Sequence, residues 1–403
     1  MRRRQPTIRS PGLPAALAVA ASLLLASVTT AGAQAGDGDR AGGPRDPIGE
    51  PSFVKKTRRI APGVTYTKIT QKRIPRRTFI LEIDLTRAAT LDVTIADQAL
   101  PSRRALSDIV RQHDAIAGVN GDYSGLGNPD HPLAQDGELL HTTKAAGTLF
   151  AVTRDESTTF FGKPRVRVTI TDPATGRVFR IEHWNEGGPV PGEYVGFSPL
   201  GGTLEAPPPF ACSARLLPEG PPRVAEPDGV DRDYVVDAVA CSEAPLMRSG
   251  GIVISTAPAT DEATELLALV PGTPMRLHWT LGWANVFDAV GGAPLLLRDG
   301  QPVGICRSGC GVQPRTGVGV TANGRILLVV IDGRQRRWSV GTTVEQFTRI
   351  MRGLGAVTAL NLDGGGSSEM VVEGEVVNRP SDGRERLISN AILVLPGPDP
   401  DEP

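Results

Sequence analysis

From Ile60 onward the chain is written largely in period two. Residues 64–69, 78–85 and 90–95 alternate apolar and polar positions, which predicts half-buried antiparallel strands. A short helix is expected over 102–113, where Leu106, Ile109 and Val110 share one face. Strand patterning resumes at 115–123 and closes on Asn120-Gly121-Asp122-Tyr123. A Gly/Pro/Asn/His loop follows to residue 136. Further strands are read at 147–152, 158–161, 166–170, 234–240, 251–255 and 274–281. Residues 315–320 and 325–332 predict a hairpin through Asn323-Gly324. Its second limb, 326–331, is continuously apolar, as a central strand would be. Thr342-Thr343-Val344-Glu345 reads as a capping box for a helix that buries Val344, Phe347, Ile350, Met351 and Leu354 and stops at Gly355. Residues 356–362 then form a strand that delivers Asp363-Gly364-Gly365-Gly366-Ser367-Ser368. A hairpin over 370–377 and a last strand at 391–395 complete a strand-dominated α+β fold of mixed sheets with a few helices.

The two ends depart from this pattern. Residues 1–35 combine Arg2, Arg3 and Arg4 with an Ala/Leu-rich run and Ala33-Gln34-Ala35, the anatomy of a signal peptide. Residues 36–58 are polar and read as a disordered leader, residues 59–396 as one domain, and 397–403 as a polar tail. Within the domain, 186–231 is dense in proline and glycine and reads as an irregular excursion with little core of its own. The expected protein is therefore secreted or held in the cell envelope, without stable membrane insertion once the signal is removed.

Charge and cysteine usage narrow the partners. The formal charge is −1, and without residues 1–35, which hold four arginines and no acids, it is −5. No basic stripe with interleaved aromatics is visible along the chain, so nucleic acid is not an expected partner. Four cysteines suit an exported protein with two disulfides. Of three possible connectivities, proximity favours Cys212–Cys241 and Cys306–Cys310. No feature of the sequence fixes an oligomeric state.

Common motifs fail in specific ways. Glu369 stands where a nucleophile elbow needs glycine, and Ala322 where a dinucleotide loop needs its third. The five histidines are scattered. A Ser-His hydrolase would pair His131 or His141 with Ser367 or Ser368. The stronger constellation is three strand ends, Asn120/Asp122, Asp332/Arg334 and Asp363. Glycosidic hydrolysis uses a pair of carboxyl groups, and Asp363 and Asp332 are the candidates. A phosphate leaving group has a low pKa, so anion binding matters more than acid help. Arg315, Arg334 and Arg386, with the Gly364, Gly365 and Gly366 amides and the Ser367 and Ser368 hydroxyls, are candidates for that binding. Arg379 and Arg384 read first as solvated surface charges. Paired strand-end aspartates would alternatively hold Ca²⁺; otherwise no cofactor is expected.

The blocks Gly118-Val119-Asn120-Gly121-Asp122-Tyr123, Arg315-Thr316-x-x-Gly319, Asp332-Gly333-Arg334, Asn361-Leu362-Asp363-Gly364-Gly365-Gly366-Ser367-Ser368 and Asn378-Arg379-Pro380-Ser381-Asp382, with Arg386, occur in this order. Over about 59–396 the chain thereby resembles the phosphodiester glycosidase family. The resemblance implies an exported hydrolase that cleaves the glycosidic bond of a sugar-1-phosphodiester, with an envelope or extracellular glycan as substrate. The alternatives are a non-catalytic module that binds wall polysaccharide, and a metal-dependent phosphodiesterase.

Overall fold

The computed structural model describes residues 53–87, 89–142, 147–201, 210–225, 228–241, 251–303, 306 and 308–397. The signal peptide, most of the leader and nearly all of the tail lie outside these residues. Residues 50–403 form one unit, and 1–49 form another that also lies outside them.

Strands dominate, and they build several sheets. The first contains eight strands, in the order Phe53–Ala61, Val64–Gln71, Arg76–Ile83, Ile326–Ile331, Arg315–Thr321, Ala356–Asn361, Leu295–Arg298 and Gln301–Pro302. The apolar run Ile326–Ile331 lies between Arg76–Ile83 and Arg315–Thr321 and is buried along its whole length. Burial on both faces explains why this strand lacks alternation. The expected leader is shorter than the sequence implied, because residues 53–58 are paired with Val64–Gln71. These six residues are exposed, so no apolar signal marks them as strand.

A second eight-stranded sheet runs through residues 167–280, and pairing of Cys212–Pro218 with Val230–Cys241 closes it into a barrel. Tyr194–Phe197, Cys212–Pro218 and Arg223–Val224 belong to it. The stretch 186–231 is thus no coreless excursion. It buries Val195, Phe197, Ala214 and Leu216. Its strands are short and separated by proline-rich turns, which hid their alternation. Cys212 and Cys241 are opposed across this seam and form one disulfide, and Cys306–Cys310 form the other. Both suit an oxidising compartment.

Two five-stranded sheets complete the fold. One places Ala117–Asn120 between Met370–Val372 and Asn390–Pro396. The helix Val344–Gly353 buries Val344, Phe347 and Met351. Its capping box is Thr343 with Gln346, one residue later than the sequence spacing suggested. Among the described residues, no helix is long and apolar enough to cross a membrane.

Candidate functional site

The strand Ala356–Asn361 and its neighbour Arg315–Thr321 deliver their ends to one rim of the first sheet. Beyond them the chain makes a one-turn 3₁₀ segment, Gly365–Ser367. This loop is held by its backbone: Asp363 N donates to Gly121 O at 3.0 Å, Leu362 N to Thr316 O at 2.9 Å and Gly365 N to Pro314 O at 3.0 Å. Asn120 supports the same loop from below. Its Nδ2 donates to Asp363 O at 2.8 Å, and its Oδ1 accepts from Thr316 Oγ1 at 2.8 Å and Glu369 N at 3.1 Å. Asn120 is buried and fully used, so it orients the loop and does not reach a ligand.

Above the loop is a cavity of about 680 Å³ whose lining includes Tyr123, His131, Arg315, Arg334, Asp363, Gly364, Gly365 and Arg386. The glycines serve two arginines. Gly365 has φ +65°, and a Cβ there would come within 2.9 Å of Arg334 Nη2. A Cβ on Gly366 would overlap Arg386 and Asp382. Their missing side chains bring both guanidinium groups against the loop. Arg334 Nε also donates to Gln313 Oε1 at 2.6 Å, and Arg386 is paired with Asp382 at 2.6 Å.

Asp363 is the more enclosed of two carboxylates on this cavity, the other being the exposed Asp130. Gly364 N donates to its Oδ1 at 2.7 Å. Burial pushes its pKa up to about 6; the Ser367 and Gly364 hydrogen bonds and the charge of Arg386 pull it back, and Asp122 adds to the rise. Ser367 is therefore a partner of Asp363. Ser368 is buried, and its backbone carbonyl accepts from Asn378 Nδ2 at 3.0 Å. Among the described residues neither serine is hydrogen-bonded to a histidine as a Ser-His hydrolase requires: Ser368 Oγ and His141 Nδ1 are each without a partner, and the one side-chain commitment of His131 is to a carboxylate.

That commitment is to Asp122. Asp122 Oδ1 accepts from His131 Nδ1 at 2.7 Å and from Tyr123 N at 2.7 Å, and its Oδ2 accepts from His131 N at 2.9 Å. Burial pushes the Asp122 carboxyl above the usual carboxylate range, and the three N–H donors with the charge of His131 offset only part of that rise. The imidazole sits against two chain segments that carry no Cβ, since a side chain at Gly147 or Gly291 would overlap it. Burial pulls the His131 pKa down, but the hydrogen bond and charge of Asp122 more than offset this, so it titrates above its ordinary value. The sequence marked the 124–136 loop yet gave no reason to choose His131 among the histidines. The spacing Asp122…His131 became informative only once the loop closed.

Two expected site residues are placed differently. Arg315 is buried, and its guanidinium donates to Gly309 O at 2.6 Å, Gly311 O at 2.7 Å and Thr342 O at 3.3 Å. It holds the cavity-wall loop that the Cys306–Cys310 disulfide also closes, so most of its donors are spent. Asp332 does not line the cavity. It is 1% exposed, and its oxygens accept from Trp338 Nε1 at 2.7 Å, Asn378 Nδ2 at 3.0 Å and Arg379 N at 3.0 Å. Between Asp332 and Arg334 the chain turns sharply, with φ +59° at Arg334, so the carboxylate points inward and the guanidinium outward. Asp332 and Asp363 consequently do not form the paired-aspartate cluster that would hold Ca²⁺.

Comparisons with known proteins bear on the family and the fold. Residues 229–395 match the phosphodiester glycosidase family. The resemblance to this family is carried by that stretch. The family stretch supplies Asp363, the glycine loop, Arg334 and Arg386, while Asp122 and His131 come from the chain before it. Phosphodiester glycosidase-like chemistry is what this match suggests. The uncharacterized SPbeta prophage-derived protein YomE of Bacillus subtilis is 38% identical over 89 residues, covering 22% of this chain and 14% of YomE. A hypothetical protein from Synechocystis shares the fold with a TM-score of 0.61 at 22% identity, over 82% of this chain and 62% of that one. A Burkholderia pseudomallei K96243 protein assigned as exported shares it with a TM-score of 0.61 at 19% identity, over 85% and 96%. At these identities the two structures speak to the fold alone.

Proposed function

We propose that this protein is an exported hydrolase that cleaves the glycosidic C–O bond of a sugar-1-phosphodiester in an envelope or extracellular glycan. The observation that carries the reading is one cavity that joins a half-buried carboxylate to two guanidinium groups. Arg334 and Arg386, seated on the glycine loop, suit the anionic diester and the charge that grows on the departing phosphate. Asp363, with a pKa of about 6, is ionised at neutral pH and suits proton abstraction from water at the anomeric carbon. Water oxygen bonds to that carbon, the bond to the bridging oxygen breaks, and its electron pair leaves with the phosphate. The leaving phosphate is a weak base, so one strong carboxylate suffices where ordinary glycosides need two. His131, braced by Asp122, faces the same space and supplies or holds a proton beside the leaving group. Asp332 has no part in this scheme.

The deciding experiment is product analysis with a small panel of sugar-1-phosphodiesters in ¹⁸O water. Free sugar carrying the label at C1 is the expected product. Sugar phosphate carrying the label would mean cleavage on the phosphorus side and would sink the glycosidase reading. Tight retention of the glycan without any turnover would instead favour a binding module.

A further inference from the structure

The turn that carries Arg334 into the cavity has a second, outward side. Its tip holds Arg336 and Arg337, both exposed, and Trp338 follows them. The turn is stitched to the start of strand Arg76–Ile83: Val340 N donates to Pro75 O at 2.8 Å, Arg77 N to Ser339 Oγ at 3.1 Å, and Arg77 Nη1 to Trp338 O. Gln335 Nε2 donates to Arg379 O at 2.9 Å, which brings in the 378–379 segment. The Arg77 guanidinium lies 3.5 Å from the Trp338 ring centroid, with Lys68 Nζ and the Arg379 guanidinium each at 5.7 Å. Lys56 pairs directly with Lys68 across the neighbouring strands.

Six cations thus gather beside the cavity: Lys56, Lys68, Arg77, Arg336, Arg337 and Arg379. None of the six is ion-paired with a carboxylate among the described residues. The buried carboxylate beneath them, Asp332, is already satisfied by three N–H donors. Like charges opposite one another on a sheet are destabilising, and here they collect on a chain whose formal charge is negative. Arg77, which holds Trp338, and Lys68, whose charge pulls down the pKa of Asp332, serve the fold in part, but Lys56, Arg336 and Arg337 have no ion pair among the described residues that would account for them. No stretch of the sequence shows the arrangement, because the six residues come from five separate segments.

We propose that this surface is the docking track for a polyanionic glycan bearing repeated phosphodiesters, which leads the chain over the 335–338 turn to Arg334 and the cavity. The assignment rests on the proposed function, and it makes the substrate a charged polymer in place of a small diester. Base recognition finds no platform here: one face of Trp338 is stacked under Arg77, and Tyr66 and Phe79 are buried. Stacking aromatics are what single-stranded nucleic acid requires, so phosphate charge is the feature being read.

The test uses long-chain inorganic polyphosphate as the probe and the full chain as the protein. With about four contacts released as counterions, binding should weaken roughly 50-fold between about 50 mM and about 200 mM salt. The variant combining Lys56→Glu, Arg336→Glu, Arg337→Glu and Arg379→Glu should weaken binding at least about ten-fold at low salt with the melting temperature kept. Arg349→Glu with Arg352→Glu, two reversals on the helix Val344–Gly353, is the control, compared at equal charge with Arg336→Glu plus Arg337→Glu. Equal loss in that control, or unchanged polyphosphate binding in the four-site variant, overturns the proposal. So does tighter binding of single-stranded DNA of matched charge, which would make the surface a nucleic-acid site. Turnover of a small sugar-1-phosphodiester is measured in parallel. Its failure counts against the catalytic reading, whereas polyphosphate binding decides the surface.

Discussion

Asp363 and Asp332 look alike in sequence. Each follows an apolar strand, each precedes glycine, and each ends within the same eight-stranded sheet. The structure gives them opposite work. Asp363 borders a cavity and accepts from Gly364 N, with two guanidinium groups nearby. Asp332 is enclosed by Trp338, Asn378 and Arg379, which use its oxygens to lock the 332–340 turn to the segment after Gly374–Val377. A carboxylate whose oxygens are saturated by internal donors is a strut, and one with oxygen facing a cavity is a reagent. The distinction lies in the neighbours and not in the motif.

The largest effect that would test this contrast is on activity. Asp363→Asn should lower kcat by at least about 100-fold and leave the fold intact. Stability should not fall with it. The folded pKa of about 6 lies above the ordinary value of 3.8, so the native state binds more protons between those limits. The stabilisation this gives is present below the unfolded pKa and is lost as pH rises through about 6. At pH 8 the amide, which cannot ionise, should therefore melt no lower than the wild type. A clear drop in melting temperature at that pH would make Asp363 a strut too.

Next comes Asp332→Ala. It should leave the Trp338, Asn378 and Arg379 donors without their acceptor, at about 1–3 kcal/mol for each buried group. Denaturant titration should show the loss, and kcat of the fraction that stays folded should change less than ten-fold or so. A loss of kcat like that of Asp363→Asn, with unchanged stability, would restore Asp332 to the chemistry.

A smaller effect belongs to the Asp122–His131 pair. Asp122→Asn removes the charge that raises His131, so the His131 titration should move to lower pH. The alkaline limb of the rate profile should move with it, and the acid limb near 6 should stay with Asp363. A profile that shifts as one piece would show that the two groups do not act separately.

The smallest expected effect is at Glu369, next to the glycine loop. Burial and the adjacent Glu385 push its pKa up to about 9, so it is neutral at pH 7. Glu369→Gln should match the wild type in activity there, and in stability only below the ordinary carboxylate value of 4.5. As pH rises from 4.5 to about 9 the wild type should progressively lose stability that the variant keeps, because over that window the unfolded carboxylate is ionised while the folded one holds its proton.

Much of the sheet architecture was legible in the chain, and for plain reasons. Alternation marked Val64–Gln71 and Arg76–Ile83, and the unbroken apolar run marked Ile326–Ile331 as central. The barrel was less visible. Its strands Tyr194–Phe197 and Cys212–Pro218 are short and lie among prolines, so local composition outweighed their pattern. Asn120 and Arg315 were recognised as belonging to the site region, but their roles are those of supports whose polar atoms are spent on loop backbone. The six-cation surface was invisible, since period-two spacing disperses it through strands that only pairing unites.

The sequence by itself determined the strand-rich class, the family signature and the identity of Asp363 and its glycine loop as the place to look. These depend on local spacing, which a linear chain records. Only the tertiary structure decided which aspartate faces the cavity, which histidine is braced by Asp122, and that Arg334 and Arg386 rest on the glycines. Those outcomes depend on burial and on hydrogen-bond partners far away in the chain, such as the 243 residues between Asn120 and Asp363. A side chain becomes a reagent or a strut according to what its polar atoms meet, and that is settled only when distant segments pack.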